Sequence, residues 1–267
     1  MFLSLSRDKQ SDLQSVKDYR PQTDGQLLRI LLHGPVGAGK SSFINSVQSV
    51  LHGRMYAHVL ADNTSGSSFS VHRKRRPDTF YPFVFNDIMG LDKDIDRGVH
   101  VDDVKLAMKG QVKEGYRFNP ESALSDDDQF YNEHPTNNDK VHVLVSVVDA
   151  NTLSIKSDKA VAKIRTIRIE ASELNIPQVA ILTKIDKVCP ELNEDLKNIY
   201  KVKLLKERME KFSVEVGIPM NCIFPLKNYD SEINLNNDVD SLILSAMKHI
   251  INLGDDCINF IKSQSKC

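Results

Sequence analysis

The sequence is poor in the features that mark secreted, membrane-spanning and nucleic-acid-binding proteins. Its 267 residues include four cysteines, which lie far apart without a CxxC pair and therefore favour free thiols in a reducing compartment. No apolar run approaches the roughly 20 residues that a membrane span needs, and the apolar start reaches Arg7 too soon for a signal peptide. A formal net charge of -1 argues against nucleic acid as the main partner. We therefore expect a cytoplasmic protein without an integral membrane segment.

Short apolar runs alternate with helical patterns along the chain. The runs are typical of buried strands, whereas the segments between them repeat apolar residues at helical spacing. Such alternation predicts a parallel sheet covered by helices on both faces. The predicted strands are 27–32, 82–87, 141–150, 177–183 and 220–226, and the predicted helices are 41–51, 101–109, 155–174, 191–213 and 238–252.

One further segment, 67–76, alternates apolar and polar residues and runs into Pro77, which is typical of an edge strand. We expect it to pair antiparallel with 82–87. Its basic run, 72–76, fits a nuclear-import or acidic-lipid patch, but charges that protect a sheet edge are the preferred interpretation. The expected fold is α/β, with three layers around a mostly parallel six-stranded sheet that has one antiparallel edge strand.

Two parts of the chain do not follow this alternation of predicted strands and helices. Residues 110–138 are polar, turn-rich and longer than a normal connection, which predicts an insertion. The two ends show no clear pattern. The expected organisation is an amino-terminal extension over 1–24, one folded domain over 25–254 and a carboxyl-terminal tail over 255–267.

A glycine-rich stretch separates the first predicted strand from the helix that follows it. It matches the pattern G-x-x-x-x-G-K-[ST], in the strand-before, helix-after context that the pattern needs to bind phosphate. Glycines let successive backbone N–H groups converge on a phosphate, and the helix adds its positive amino-terminal end. A tight turn in an unrelated α/β protein is the alternative, which this context disfavours. The predicted phosphate-binding residues are Gly34, Pro35, Val36, Gly37, Ala38, Gly39, Lys40, Ser41 and Ser42.

Several side chains in and near this stretch are expected to contact the phosphates or bind Mg²⁺. Lys40 would reach the outer phosphates as a point charge, and the Ser41 hydroxyl would ligate Mg²⁺. Further on, Asp87-x-x-Gly90 ends a predicted strand, where the carboxylate can hold magnesium through water and the Gly90 N–H can meet a terminal phosphate. The D-x-x-G pattern is weak alone, and its place at the end of strand 82–87 strengthens it.

A third motif, Thr183-Lys184-x-Asp186, lies at the sheet edge where open α/β proteins bind ligands. A carboxylate there can accept from N1–H and the exocyclic amine of guanine, a discrimination worth on the order of 1–3 kcal/mol by analogy with bidentate base contacts. The Lys184 stem can cover the face of the base. The alternative is a solvated helix start capped by aspartate. The order of the three motifs favours guanine and predicts GTP or GDP as the ligand.

Together, these motifs resemble those of P-loop GTPases. The resemblance narrows to the GTPase-like region of the interferon-induced protein 44 family, because it includes YRFNP in the insertion, which generic GTPases do not share. It covers about 25–254 and implies a P-loop GTPase-like domain in a cytosolic, interferon-inducible GTP-binding protein of antiviral or antiproliferative character. A fuller family member carries an amino-terminal TLDc-type domain, for which this chain has no room. The segments that carry the resemblance are GPVGAGKSSFINSV, NDIMGLD, DDVKLAMKG, GYRFNP, DKVHVLVSVVDA and LTKID.

The sequence departs from the usual GTPase pattern around the base and the terminal phosphate. Thr183 stands where Asn is commoner, which loses an amide that braces the phosphate loop but leaves a hydroxyl. The last base-contacting loop, usually Ser-Ala-Lys, is matched at best by PLKNY, which makes Lys227 and Asn228 the assignments there. Leu91 follows Gly90, where many GTPases have a water-orienting glutamine.

The first switch must offer a hydroxyl to the metal in the GTP state. Thr64 is the preferred candidate and Ser65 the next, in a polar stretch rich in glycine and serine. That composition fits a segment that orders only with a terminal phosphate. Thr64 would join Ser41 and Asp87 at the metal, and would act with Lys40 as a catalytic residue.

Three function classes remain open. Hydrolysis needs an oriented water and a compensated transition-state charge, and because leucine cannot polarise water, Leu91 predicts a slow GTPase acting as a nucleotide-dependent switch. Val36, where small GTPases commonly keep glycine, could obstruct an arginine from a partner. Nucleotide-dependent self-association or a protein partner could supply the missing group. Leu91 equally permits a non-hydrolysing GTP/GDP-binding adaptor. The third class, a P-loop ATPase or nucleotide kinase, is disfavoured by LTKID.

Overall fold

A six-stranded sheet forms the centre of the protein. The computed structural model describes residues 8–56, 70–76, 79–91, 98–119, 121–154, 158–193 and 195–264. The strands are β1 Leu28–His33, β2 Ser70–Arg76, β3 Thr79–Asp87, β4 Val143–Asp149, β5 Gln178–Thr183 and β6 Ile223–Pro225. They follow the order β2-β3-β1-β4-β5-β6, in which β2 runs antiparallel to β3 and the other neighbours are parallel. The predicted fold class, with its antiparallel edge strand, is confirmed.

The central strands are buried along most of their lengths, which explains their largely apolar sequences. All six residues of β1 are buried, as are the first six of β4. The register pairs Leu32 with Asp87 and Asp149 with Thr183. The last residues of β3 and β5 therefore lie at the same sheet edge as the end of β1, where the loops after these strands meet.

Helices connect the strands and flank the sheet. No helix within the described ranges combines the length and the apolar composition that crossing a membrane requires. Short 3-10 helices occupy Thr152–Ser154, Pro190–Asn193, Leu196–Lys201 and Met220–Cys222. The α-helices are α1 Lys9–Asp18, α2 Lys40–His52, α3 Val101–Met108, α4 Asp158–Glu173, α5 Ile185–Val188, α6 Lys203–Val216 and α7 Asn237–Gln264.

Two predicted helices differ from those in the structure. The prediction of one helix over 191–213 is wrong, because two 3-10 helices precede α6. Asp195 starts a new turn by accepting a hydrogen bond from the Lys197 N–H at 2.9 Å, and Val202 is extended. The predicted end at 252 is also wrong. Helix α7 continues to Gln264, and its later turns bury Ile258 against the core.

The segment before the sheet packs on the helix that follows it. Helix α1 begins after Asp8, whose carboxylate caps the Gln10 N–H at 3.1 Å. Val16 is buried in the same core as the sheet, and the Tyr19 hydroxyl donates to Asp255 at 3.0 Å. The ends of the chain's described part therefore support each other, while the domain boundaries stay a prediction.

The predicted insertion also adds to the core. Tyr116, Phe118 and Leu124 are buried in the cluster that includes the sheet. Asp103 of α3 holds the segment by accepting from the Leu124 N–H at 2.7 Å and the Tyr116 hydroxyl at 3.4 Å. A long polar connection is thus anchored by a few apolar side chains and one buried carboxylate.

Candidate functional site

The phosphate loop turns sharply between β1 and α2. Gly34, Gly37 and Gly39 have φ values of 145°, 72° and 94°, where glycine is favoured over other residues. At Gly34 the loop lies against β4, because an added Cβ would be 1.9 Å from the Val147 carbonyl oxygen. Gly39 directly precedes α2. The amino-terminal end of that helix, with its unsatisfied N–H groups, is therefore part of the loop.

Lys40 is buried against the loop. Only 8% of the residue is exposed, and Nζ donates to the carbonyl oxygens of Gly34 and Pro35, both at 3.2 Å. Burial lowers the pKa of Lys40, and the nearby Asp87 carboxylate opposes that shift. Two backbone carbonyls thus fix the direction of the amine within the loop.

Ser41 and Asp87 meet in the same place. The Ser41 hydroxyl donates to Asp87 Oδ2 at 2.7 Å, which joins the start of α2 to the end of β3. In the described part of the chain, no group of three His, Cys, Asp or Glu side chains could hold a metal by itself. Mg²⁺ often takes only one or two protein ligands together with phosphate and water oxygens, and this hydroxyl and carboxylate suit that pattern. Thr64 and Ser65 lie outside the described residues.

Gly90 and Leu91 lie directly against the phosphate loop. The Leu91 N–H donates to Gly34 O at 2.9 Å, and the Val36 N–H donates to Leu91 O at 3.3 Å. An added Cβ at Gly90 would be 2.5 Å from Val36 Cγ2. Val36 is 61% exposed, whereas Leu91 is 1% exposed and belongs to the core. Sequence reasoning missed this pairing, which comes from contact between two loops.

We expect Leu91→Gln to destabilise the fold and, if the protein hydrolyses GTP as the resemblance implies, to leave that rate unchanged. The new amide would replace a buried apolar side chain, at a cost of about 1–3 kcal/mol, instead of facing a water molecule. Multiple-turnover phosphate release and urea unfolding measure the two effects, with the volume-conserving Leu91→Met as control. A clear rise in turnover for Leu91→Gln would show that this side chain faces the nucleotide.

The Thr183-Lys184 segment is bound to the phosphate loop. The Thr183 hydroxyl lies 2.6 Å from the Ala38 carbonyl oxygen, and Lys184 Nζ donates to Gly37 O at 2.7 Å. Lys184 also lies 3.1 Å from Asp149 Oδ2 at the end of β4, a partner that sequence reasoning missed. Two segments separated by more than a hundred residues in sequence are therefore held as one surface.

The three remaining predicted base-site residues are placed differently from one another. Asp186 is in the first turn of α5, and among the described residues its half-buried carboxylate has no hydrogen-bond or ion-pair partner. Asn228 Nδ2 donates to Gly39 O at 3.0 Å, while its buried Oδ1 has no partner within the described ranges. Lys227 instead forms an ion pair with Glu232 at 3.0 Å. The structure thus brings Asn228 to the phosphate loop and directs Lys227 to a neighbouring carboxylate.

His33, the last residue of β1, is a buried residue that sequence reasoning passed over. Its Nε2 lies 2.6 Å from Ser146 Oγ. Burial, with a smaller effect from Lys40, lowers the pKa of His33 to about 3. The imidazole is therefore neutral at physiological pH and adds no charge beside Lys40. Its position immediately before Gly34 is the only signal in the sequence that could have marked it.

A cavity of about 850 Å³ lies away from this site. Its lining comes from α1, α6, β6, α7 and the segments before α6 and β6, and includes Met209, Phe224 and Lys248 but no residue of the phosphate loop. The candidate site is therefore identified by its converging polar contacts and not by this cavity.

Solved structures with a similar fold include two of Toc33 from Arabidopsis thaliana, one in complex with GDP and Mg²⁺ and one with Mg²⁺ and GMPPNP. Their TM-scores are 0.53 and 0.52, at 15% and 14% sequence identity. The matches cover 92% and 96% of this chain and 91% and 97% of the Toc33 chains. Together with the sheet order and the phosphate loop, this likeness defines the class: the protein has the P-loop GTPase fold.

Two curated proteins are similar in sequence to this chain over most of its length. Interferon-induced protein 44 of Mus musculus is 35% identical over 246 residues, which are 90% of this chain and 58% of that protein. Interferon-induced protein 44-like of Homo sapiens is 32% identical over 254 residues, 91% of this chain and 55% of that protein. The chain is a homologue of interferon-induced protein 44 and 44-like, as the resemblance predicts, and spans somewhat more than half the length of each. No family model matches it.

Proposed function

We propose that the protein binds guanine nucleotides with Mg²⁺ and acts in the interferon response. The contact between the base motif and the phosphate loop carries this proposal, because Thr183 and Lys184 reach the carbonyls of Ala38 and Gly37. One ligand could then have its phosphates at the loop and its base beside Asp186. The Toc33 complexes and the interferon-induced homologues support the ligand and the setting.

The residues present fit a magnesium-bound nucleotide. Gly37 leaves open space, since no atom lies within 4 Å of an added Cβ. Lys40 and the start of α2 supply positive charge for phosphate, and the buried Asn228 Oδ1 is an acceptor with a hydrogen bond still to make. Ser41 and Asp87 would hold the Mg²⁺ ion, which when bound neutralises phosphate charge.

We further propose that GTP turnover is slow and that the nucleotide controls a switch. Leu91 follows Gly90 in the place of a water-orienting glutamine, and its side chain is buried. Lys40 and Thr64 are the proposed catalytic residues. Because Leu91 pairs with Gly34 and Val36, the segment after Asp87 is well placed to respond to a phosphate bound in the loop. A cytoplasmic, antiviral role and nucleotide-dependent self-association belong to the same proposal, from the family resemblance.

A non-hydrolysing nucleotide-binding adaptor is the second candidate, and the burial of Leu91 favours it equally. Multiple-turnover phosphate release, measured across protein concentration, separates the two. Release that accelerates with concentration indicates catalysis completed by self-association. Nucleotide binding without release at any concentration indicates the adaptor.

Asp186→Asn tests the base site. The substitution replaces one acceptor oxygen by a donor, so we expect GDP affinity to fall about tenfold or more, by about 1–3 kcal/mol, and the preference over ADP to shrink. Calorimetric titration with GDP and ADP in Mg²⁺ measures both effects. Glu191→Gln removes a nearby exposed charge and should change neither property. Unchanged guanine preference in Asp186→Asn would place base recognition elsewhere.

A further inference from the structure

A buried carboxylate on α7 depends on a cation from α1. Asp240 is 1% exposed. Its Oδ2 lies 2.6 Å from Lys9 Nζ, and its Oδ1 accepts from the Tyr229 hydroxyl at 2.6 Å. Lys9 also donates to Asn237 Oδ1 at 2.7 Å. A buried carboxylate needs both its charge and its lone pairs satisfied, and here one lysine and one phenol share that task.

Tyr229 connects this charge to the nucleotide site. Its backbone N–H donates to Ser46 Oγ at 2.9 Å, and Ser46 Oγ donates to Ser42 O at 2.7 Å in the first turn of α2. The preceding residue, Asn228, donates to Gly39 O. Tyr229 is thus fixed at its hydroxyl by Asp240 of α7 and by the backbone of Asn236, which accepts from it at 3.0 Å and donates to it at 2.7 Å. Its backbone is fixed by α2, directly beside the residue that touches the phosphate loop.

A second ion pair between the same helices provides a comparison. Lys248 of α7 binds Asp12 of α1 at 2.6 Å, with side-chain exposures of 34% and 6%. The corresponding values for Lys9 and Asp240 are 30% and 1% at the same distance. The two pairs therefore hold α1 on α7 in similar ways, but only Asp240 also binds Tyr229.

We infer that Lys9 is a positioning residue for the nucleotide site: by neutralising Asp240 it keeps Tyr229, and with it Asn228, in place against the phosphate loop. The inference rests on the proposed guanine-nucleotide binding and adds a residue of α1 that contacts no part of the loop itself. Without Lys9, the Asp240 carboxylate is left buried and uncompensated, so it must move toward water. That movement breaks the 2.6 Å hydrogen bond from the Tyr229 hydroxyl to Asp240 and leaves the hydroxyl with the backbone of Asn236 as its partner.

The test compares Lys9→Met with Lys248→Met. Dissociation of a fluorescent GDP is measured by stopped flow, and stability by urea unfolding. Both variants should be destabilised, whereas only Lys9→Met should release GDP faster, by about tenfold. Lys9→Arg should restore the wild-type rate. The double variant Lys9→Met/Asp240→Asn has no uncompensated charge at this position and should release GDP more slowly than Lys9→Met alone. Equal release rates in the two Met variants would overturn the inference.

Hydrogen exchange distinguishes failure of the inference from failure of the proposed function. If wild-type protein binds no GDP, the proposed function is wrong. The positioning role is still tested by the backbone amides of 226–229, which should exchange faster in Lys9→Met than in Lys248→Met. Equal protection of this segment in both variants would show that Lys9 contributes only to the packing of α1.

Discussion

Lys40→Met is expected to weaken GTP and GDP binding about a hundredfold or more while leaving the protein folded. Loss of one partner from a buried, hydrogen-bonded charge pair typically costs about 2–5 kcal/mol, and each 1.4 kcal/mol is about tenfold in affinity. The fold should survive, since methionine keeps the apolar stem and Gly34 O still accepts from the Leu91 N–H. Burial already disfavours the charged form of this lysine. Removing the charge should therefore lower the free energy of unfolding only a little.

Calorimetry with GTP and GDP in Mg²⁺ measures this loss, and thermal unfolding checks the fold. Lys105→Met is the control for removing a lysine charge, because Lys105 pairs with Glu170 at 2.6 Å but lies on α3, outside the site. We expect wild-type nucleotide affinity for that variant. If Lys40→Met bound GTP like the wild type, the glycine-rich loop would not be the phosphate site.

Gly34→Ala is expected to have the largest effect on stability, lowering the free energy of unfolding by about 3 kcal/mol or more. Two costs combine: a side chain at φ 145° is strained, and its Cβ would lie 1.9 Å from Val147 O in the backbone of β4. A backbone oxygen in a central strand cannot move aside as a side chain can. The variant must separate β1 from β4 locally or distort the loop.

Gly37→Ala is the control for Gly34→Ala. Gly37 also has a positive φ, 72°, but an added Cβ there meets no atom within 4 Å. It should therefore show only the cost of the left-handed conformation, about 1–2 kcal/mol. Urea unfolding of both variants compares the two costs. Similar losses would mean that the close approach of Gly34 to β4 is absent in solution.

The strands were predictable because each leaves a local signal. A parallel strand buried on both faces is mostly apolar, as in Leu28–His33 and Val143–Asp149. Helix α1 left little signal, since the contacts that hold it, such as the ion pair between Lys9 and Asp240, join residues that are far apart in sequence. The same holds for the end of α7, where the hydrogen bond from Tyr19 to Asp255 depends on a helix more than two hundred residues earlier.

The candidate site also has one part that could be predicted from the sequence and one part that could not. The phosphate loop and the T-K-x-D motif are each a continuous stretch of sequence, so the geometry of each follows from its own residues. Contacts between loops were not predictable: Leu91 pairs with Gly34, Asp149 lies beside Lys184, and Asn228 donates to Gly39 O. These depend on which strand ends are neighbours in the folded sheet, and the sequence gives no residue spacing that specifies them.

The packing of α1 on α7 has a consequence for the order in which the chain folds during synthesis. Helix α1 precedes every strand of the sheet, yet the partners of Lys9 and Tyr19 belong to the last helix of the described chain. The ribosome therefore releases all six strands before α1 can dock. Contacts between residues so far apart form late and raise the contact order of the domain. The contacts through which Asp240 and Tyr229 hold Asn228 against the phosphate loop are thus among the last to form.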